Sequence, residues 1–373
     1  MVRVLEVHAR WPLCLEIALA ALLLAPRAGW SQEVSNLRFG FYGQINQGVL
    51  VYDDGGVSKA YAPVDNSNAD SRAGINLDTR LGGWDTRFNV ELQYQAYPSD
   101  RVNQRSDALD WRFRNSDIRH LEFRFANARF GRFWVGQGSM ASDNTAEVDL
   151  SGTSVVAYAD VASSAAGNFF RRSNDVLSGV TVGDAFDDLD GLGRQMRIRY
   201  DTPSFNGFRL KTSFGRDVLS HNDADLYDVA ATYAGALNDF KVGVAVALAR
   251  DAGTGRNQVD GSLSILHKPS GLNLTVAGGS RFDQGPGRYG YVKLGYILDC
   301  FAIGSTGLSV DYYGGTGFKT RGSRSTSVGL AAVQRIEKAN VDLWLLWRVY
   351  DYDDPAAGYE PGNALLGGVR YSF

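Results

Sequence analysis

Two sets of charged side chains stand apart by type and spacing. From Ser139 to Phe170 the chain carries Asp143, Glu147, Asp149 and Asp160 and neither Lys nor Arg. From Arg72 to Arg132 it carries eleven Arg and no Lys. Arg stays charged and is less strongly hydrated than Lys, which suits it to a wall along which charged solutes pass. Carboxylates facing guanidinium groups across a narrow passage would set up a transverse field. Such a field orients water and polar solutes and biases which ions cross. The expected acidic side is Asp143, Glu147 and Asp149, and the expected basic side is Arg38, Arg72, Arg80, Arg87 and Arg124. Two other readings stay open. An inward Arg could simply neutralise an inward acid such as Asp78, Glu91 or Glu122. Asp143, Asn144, Glu147 and Asp149 could hold a calcium ion, although their spacing is not that of an EF-hand loop. No other metal and no cofactor is indicated.

Enzymatic chemistry has little to work with. Beyond the first 31 residues the only histidines are His120, His221 and His267. No nucleophile elbow, Cys–His pairing, phosphate-binding P-loop or zinc spacing is present. The glycine-rich "GTGRNQ" and "GGTGFKTRG" fall in expected loops rather than between a strand and a helix.

The elements that must carry these charges alternate with period two. In "LRFGFYGQINQGVL" Leu37, Phe39, Phe41, Gly43 and Ile45 share one face, opposite Arg38, Tyr42, Gln44 and Asn46. "WDTRFNVELQY", "FKVGVAVAL" and "VDLWLLWRVY" repeat the pattern. Tyr, Trp and Phe recur at the ends of the apolar stripes, as at a membrane interface, and several strands reach the nine or ten residues that cross a bilayer at a tilt. Short turns such as Leu81–Asp85 and Glu337–Asn340 alternate with long polar segments such as Asp53–Ser71, Gly215–Leu226 and Asp251–Gln258. Sixteen strands are expected, beginning near 37, 72, 84, 117, 129, 196, 208, 227, 240, 259, 272, 289, 305, 325, 341 and 364. With no strand to pair past Phe373, the last must close on the first, leaving no edge unpaired in lipid. The fold class is therefore an all-β, antiparallel transmembrane barrel. A sixteen-stranded barrel is too wide to sieve small solutes unless something fills part of it. The acidic stretch, extended to about 138–195, is the segment long enough to fold inward as a third loop. For its second half, 168–195, the pattern suggests no role.

The chain opens like an export leader. Arg3 and Arg10 precede "IALAALLLA" (Ile17 to Ala25), which is too short to span a bilayer, and small residues precede Gln32. Residues 1–31 are read as a signal peptide and 32–373 as one barrel domain. Losing three Arg and two Glu with the leader takes the formal charge from −3 to −4, so nucleic acid is not an expected partner. Cys14 leaves with the leader and Cys300 stands alone, so no disulfide forms within one chain.

"LRFGFYGQINQGVLVYDDG", "GQGSMASDNTAEVDLSGTSVVAYADV", "DGLGRQMRIRYDTPSFNGFRL" and the terminal "GGVRYSF" together resemble the sixteen-stranded general porins of Gram-negative outer membranes, the alphaproteobacterial branch above all. The resemblance implies passive diffusion of small hydrophilic solutes and ions through a homotrimer of water-filled barrels, each narrowed by its third loop, among outer-membrane lipid and lipopolysaccharide. A charge of −4 and the acidic loop predict mild cation preference, against which the Arg wall would act. An alternative is a substrate-specific channel for a sugar or an anionic nutrient, with Tyr42, Trp134 and Trp344 stacking on the solute. A third is an adhesive barrel whose loops bind partners.

Overall fold

The computed structural model describes residues 37–106, 108–109, 112–219, 222–283 and 287–373. The expected leader lies outside them. In chain order the strands are β1 (Arg38–Asp53), β2 (Ser58–Asp65), β3 (Arg72–Leu81), β4 (Trp84–Gln93), β5 (Ile118–Asn127), β6 (Gly131–Ser139), β7 (Phe169–Arg171), β8 (Leu177–Thr181), β9 (Arg194–Asp201), β10 (Phe208–Asp217), β11 (Asn222–Leu237), β12 (Phe240–Asp251), β13 (Arg256–His267), β14 (Leu272–Arg281), β15 (Arg288–Phe301), β16 (Gly304–Thr316), β17 (Arg324–Ile336), β18 (Val341–Asp353) and β19 (Gly362–Ser372). All but β7 and β8 join one antiparallel sheet that closes on itself.

Closure runs through β1. On one side it meets β19 from Gln44 opposite Ser372 to Asp53 opposite Asn363. Gly43 and Phe373 exchange backbone hydrogen bonds of 3.0 Å in each direction, so the chain end is tied into the ladder. On the other side β1 pairs with β3 over Arg38–Gln44 and with β2 over Gln47–Asp53. Strands β2 and β3 thus share one position, and the barrel has sixteen staves. Residues 53–71 are therefore not the plain loop expected from sequence. At 16 residues β1 outruns the 10-residue β3, and its upper half would be an open edge at membrane depth without β2. Likewise β10 and β11 leave only 218–221 between them, and β12 and β13 only 252–255, because these strands continue past the bilayer.

The two faces follow the alternation. Phe39, Phe41, Ile45 and Val49 point outward and are exposed on the free barrel. Aromatic pairs such as Phe133 with Tyr200 (4.7 Å between ring centroids) and Phe208 with Tyr233 (4.6 Å) gird the short-turn rim. The apolar core lies inside the barrel. Leu50, Tyr52, Tyr313, Leu346 and Tyr350 project from β1, β16 and β18 against Val155, Val156, Ala165, Phe170 and Phe186 of the segment between β6 and β9.

Candidate functional site: the lumenal loop and the wall it leaves open

Residues 140–193 join β6 to β9. Just before β6 ends, Gly136 adopts φ +123°, and a Cβ there would sit 2.3 Å from the Leu121 carbonyl oxygen, so only glycine fits. The first leg then follows the inner wall strand by strand. The Ala141 amide donates to Ser213 Oγ on β10 (2.8 Å), and Ser142 Oγ donates to Asp228 Oδ2 on β11 (2.6 Å). The amides of Val148 and Leu150 donate to Ser262 and Ser264 on β13 (3.0 and 2.9 Å). Thr153 meets Ser309 on β16 (2.8 Å), and Tyr350 on β18 donates to the Val161 carbonyl (2.7 Å). The wall here is built from short side chains and glycine, which lets the loop lie close. A Cβ at Gly295 would press on Ser151 and one at Gly243 on Val148, each at 2.7 Å.

The second half of the loop returns along the same side. Strands β7 and β8 form a hairpin. Phe170 stacks on Tyr352 at 5.6 Å, and Phe186 sits between Tyr313 and Tyr350, each at 5.3 Å. Arg171 pairs with Asp54 (2.8 Å), Asp187 with Arg281 (2.5 Å) and Asp184 with Lys319 (2.9 Å). Most of residues 168–195, for which the sequence pattern suggests no role, pack the loop against β13–β18 and the turn between β1 and β2.

Of the three expected loop acids, Asp149 is turned away from the opening. Lys293 Nζ donates to Asp149 Oδ2 (2.7 Å) and to the Ala157 carbonyl (2.6 Å), and both charged side chains are at most 2% exposed. Asp149 is thus a loop anchor, and it does not join Asp143 and Glu147 in a calcium site. Among the described residues no three acidic, His or Cys side chains are arranged to hold a metal ion. Asp143 and Glu147 are half-buried and gather with acids of the returning leg. Asp190 accepts from the amides of Asn144 (2.7 Å) and Ala146 (2.9 Å). Burial, then Asp190, Asp160 and Asp143, push Glu147 well above the usual carboxylate range. Burial and Asp143 push Asp190 up to about 8. Asp188 is raised well above its ordinary value by burial and by Asp160 and Glu147. Glu147, Asp188 and Asp190 therefore face one another, and burial with mutual repulsion shifts all three toward the neutral form.

The open side is lined by strands β3–β6, β9 and β10. Arg87 and Arg124 are cross-strand neighbours, followed in register by Trp134 and Arg199. The Arg199 guanidinium lies 4.8 Å from the Trp134 ring centre. A cavity here is lined by Tyr42, Asn76, Arg87, Asn89, Glu122, Arg124 and Trp134. Neutralisation accounts for part of the wall. Arg87 grips Asp78 through two bonds (2.7 and 3.0 Å), Arg119 reaches Glu91 (2.6 Å) and Asp70 (2.5 Å), Arg197 binds Glu122, and Arg199 grips Asp201 (2.8 and 3.1 Å). Of the five expected wall residues, Arg87 and Arg124 come together. Arg72 stands 3.8 Å from Glu91, nearer the long-loop rim. Arg80 is 71% exposed beside Asp85 at a short turn, and Arg38 lies opposite Asp78 near the same rim. Arg124, Arg132, Arg209 and Lys211 have no ion-pair partner among the described residues. Sequence reasoning missed Arg132, Arg209 and Lys211, although all three sit on inward-phased positions. Trp344, expected to stack on solutes, is 3% exposed and donates to Asn46 Oδ1 (2.9 Å) beneath the loop. Tyr42 and Trp134 do line the opening.

The backbone is similar to several solved barrels. These include an anion-selective porin from Comamonas acidovorans (16% identity, 91% of this chain and 100% of that chain covered, TM-score 0.60). The outer-membrane channel DcaP of Acinetobacter baumannii aligns over 93% of this chain and 100% of its own (10% identity, TM-score 0.58). A trimer form of OmpT, an outer-membrane protein of Vibrio cholerae, aligns over 91% and 100% (12% identity, TM-score 0.55). At these identities the likeness establishes the fold. No curated protein matches the sequence. The model of the Gram-negative porin family matches residues 18–354. With that match and a closed sixteen-stave barrel, the chain belongs to the Gram-negative porins: it is an outer-membrane β-barrel channel and not an enzyme.

Proposed function

We propose that this channel passes small hydrophilic solutes by passive diffusion through the part of the lumen the loop leaves open, and that it favours anions. The observation that carries the reading is the imbalance of unpaired charge. Arg124, Arg132, Arg209 and Lys211 face the lumen without acids to neutralise them, while burial and mutual repulsion push Glu147, Asp188 and Asp190 toward their neutral forms. Unpaired cations at a constriction raise the local anion concentration and disfavour cations. This reverses the cation preference expected from net charge, because net charge counts every acid equally and ignores which are paired or protonated. The eyelet in this reading is Arg87 and Arg124 with Trp134 on one side and Asp143 and Glu147 on the other. Reversal potentials in a KCl gradient across a planar bilayer test it. Chloride selectivity is expected. Potassium selectivity would overturn the charge argument, and the absence of any stable conductance would overturn the channel reading. A homotrimer is the expected assembly, and conductance steps in groups of three would support it.

A second reading, a channel specific for an anionic nutrient, is favoured by the Trp134–Arg199 stack beside unpaired Arg124. Block of chloride current by micromolar aromatic carboxylate would select it over the general pore.

A further inference from the structure

Strand β6 ends where the loop leaves the wall, and two arginines of β9 close around that point. Arg197 stands opposite Gly136 and Arg199 opposite Trp134 in the ladder, so both side chains project inward beside the loop root. Neutralising an acid accounts for only part of what they bind. Arg197 is 3% exposed. Its Nη2 pairs with the Glu122 carboxylate, its Nη1 donates to the Gly136 carbonyl (3.0 Å) and its Nε to the Ser139 carbonyl (3.0 Å). Arg199 turns Nε and Nη2 to Asp201, and its Nη1 donates to the carbonyls of Ser139 (3.2 Å) and Met140 (2.9 Å). The Ser139 carbonyl thus accepts from both guanidinium groups, which uses both of its lone pairs. A chain that leaves a sheet gives up ladder partners, and a buried carbonyl must then find another donor. Here the three carbonyls lie within residues 136–140, and two side chains meet them.

The neighbouring sequence makes room for this bracket. A Cβ at Gly138 would press on Glu122 Oε2 and stand 2.8 Å from Arg197 Nη2. One at Gly215 on β10 would stand 2.9 Å from both Arg197 Cβ and Met140 Sδ. Gly136 and Gly138 therefore serve different ends: the first lets the backbone turn, and the second admits the ion pair. A guanidinium is a planar fork whose donors point in fixed directions, so three acceptors held by one such group are fixed relative to one another. An ammonium would keep the charge beside Glu122, but its donors share a single nitrogen and cannot also span the Gly136 and Ser139 carbonyls. On its other side the bracket meets the pore wall. The Arg199 guanidinium lies 4.8 Å from the Trp134 ring centre, and Trp134 is next to Arg124 in register. The two arginines thus join the root of the loop to the wall that the loop faces.

We propose that Arg197 is a positioning residue for conduction: with Arg199 it fixes the direction in which the loop leaves β6, and so holds a single opening between the loop and Arg124, a role that rests on the proposed eyelet. Single-channel recording of the full-length protein in planar bilayers tests it with Arg197→Lys and Gly138→Ala, beside Lys293→Ala, which loosens the far end of the loop. Arg197→Lys keeps the charge that Glu122 needs, so a residue acting only as a counter-ion would be replaced without effect. Wild type should hold one open level. Arg197→Lys should flicker among sublevels separated by roughly a quarter or more of the wild-type conductance, as the loop root samples more than one path. Gly138→Ala should do the same with every charge in place, and it carries the test alone if Arg197→Lys does not fold into a barrel. A steady wild-type level in Arg197→Lys and Gly138→Ala, with raised conductance in Lys293→Ala, overturns the bracket and leaves the eyelet standing. Wild-type records from all three variants overturn both.

Discussion

The lumen has two halves that solve opposite problems. From β3 to β10 the inward positions are Arg-rich, and each acid that could silence them is already taken: Asp78 by Arg87, Glu122 by Arg197, Asp201 by Arg199. From β11 to β19 the inward positions are mostly small or aromatic, Asp228 and Asp260 accept from the loop hydroxyls of Ser142 and Thr145, and two ion pairs are fully buried. Arg348 grips Asp311 (2.7 and 2.8 Å) and Lys293 holds Asp149, all at most 2% exposed. One wall stays wet and charged, and the other is dry and docks a loop. In the proposed reading the charges that matter for transport are those left unpaired in the wet half, whereas the charges that anchor the loop are those fully paired in the dry half.

The comparison breaks most readily at Lys293. Lys293→Ala leaves Asp149 buried without a counter-charge, with only the Ser151 amide donating to it, and frees the Ala157 carbonyl, which should weaken loop docking by roughly 3–5 kcal/mol. Single-channel conductance should rise, and protease should cut within 140–193 in the folded barrel. Wild-type conductance and resistance would show that the dry wall does not hold the loop. Phe186→Ala removes the ring wedged between Tyr313 and Tyr350 and should cost about 3 kcal/mol of the same docking. The gain in conductance should be smaller than for Lys293→Ala, because the anchor pair survives.

On the wet side, Arg124→Gln with Arg209→Gln should lower the chloride-to-potassium permeability ratio about fivefold, equivalent to about 1 kcal/mol of electrostatic bias. An unchanged ratio would mean that the unpaired cations do not set selectivity. A smaller effect should come from pH. Asp190, raised to about 8, is neutral in acid and ionises as pH rises through that value. Its folded value lies above that of an unfolded carboxylate, so its contribution to loop packing is full in acid and lost as pH rises through about 8. Chloride preference should fall between pH 6 and pH 9, and Asp190→Asn should flatten that dependence. The smallest effect belongs to Arg80. Exposed at the rim beside Asp85, it should change neither selectivity nor stability beyond about 0.5 kcal/mol when replaced by Ala. A loss of chloride preference would place the constriction at the short-turn rim instead.

The barrel was legible because lipid enforces a period of two on every stave. Phe39, Phe41 and Ile45 must be apolar, and Arg38 and Gln44 need not be. The exception is β2, whose role depends on the mismatch in length between β1 and β3, and length is not a periodic signal. The site was half legible. Arg87 and Arg124 follow from inward phase, and their adjacency from pairing between β4 and β5. Asp149 was misread because a carboxylate on a loop looks alike in sequence whether it meets water or Lys293, 144 positions away. A signal was present, since Lys293 interrupts an inward set of Tyr289, Tyr291 and Gly295.

The sequence by itself determined that this chain is a transmembrane barrel, which face of each strand meets lipid, and that a long acidic segment interrupts the strands after β6. Those features are local, repeated and set by the solvent on each side of the wall. The tertiary structure alone decided which charges remain free. Pairing between strands and the path of the loop bring together side chains far apart in the chain, and the burial they share settles whether an acid is ionised, paired or silent.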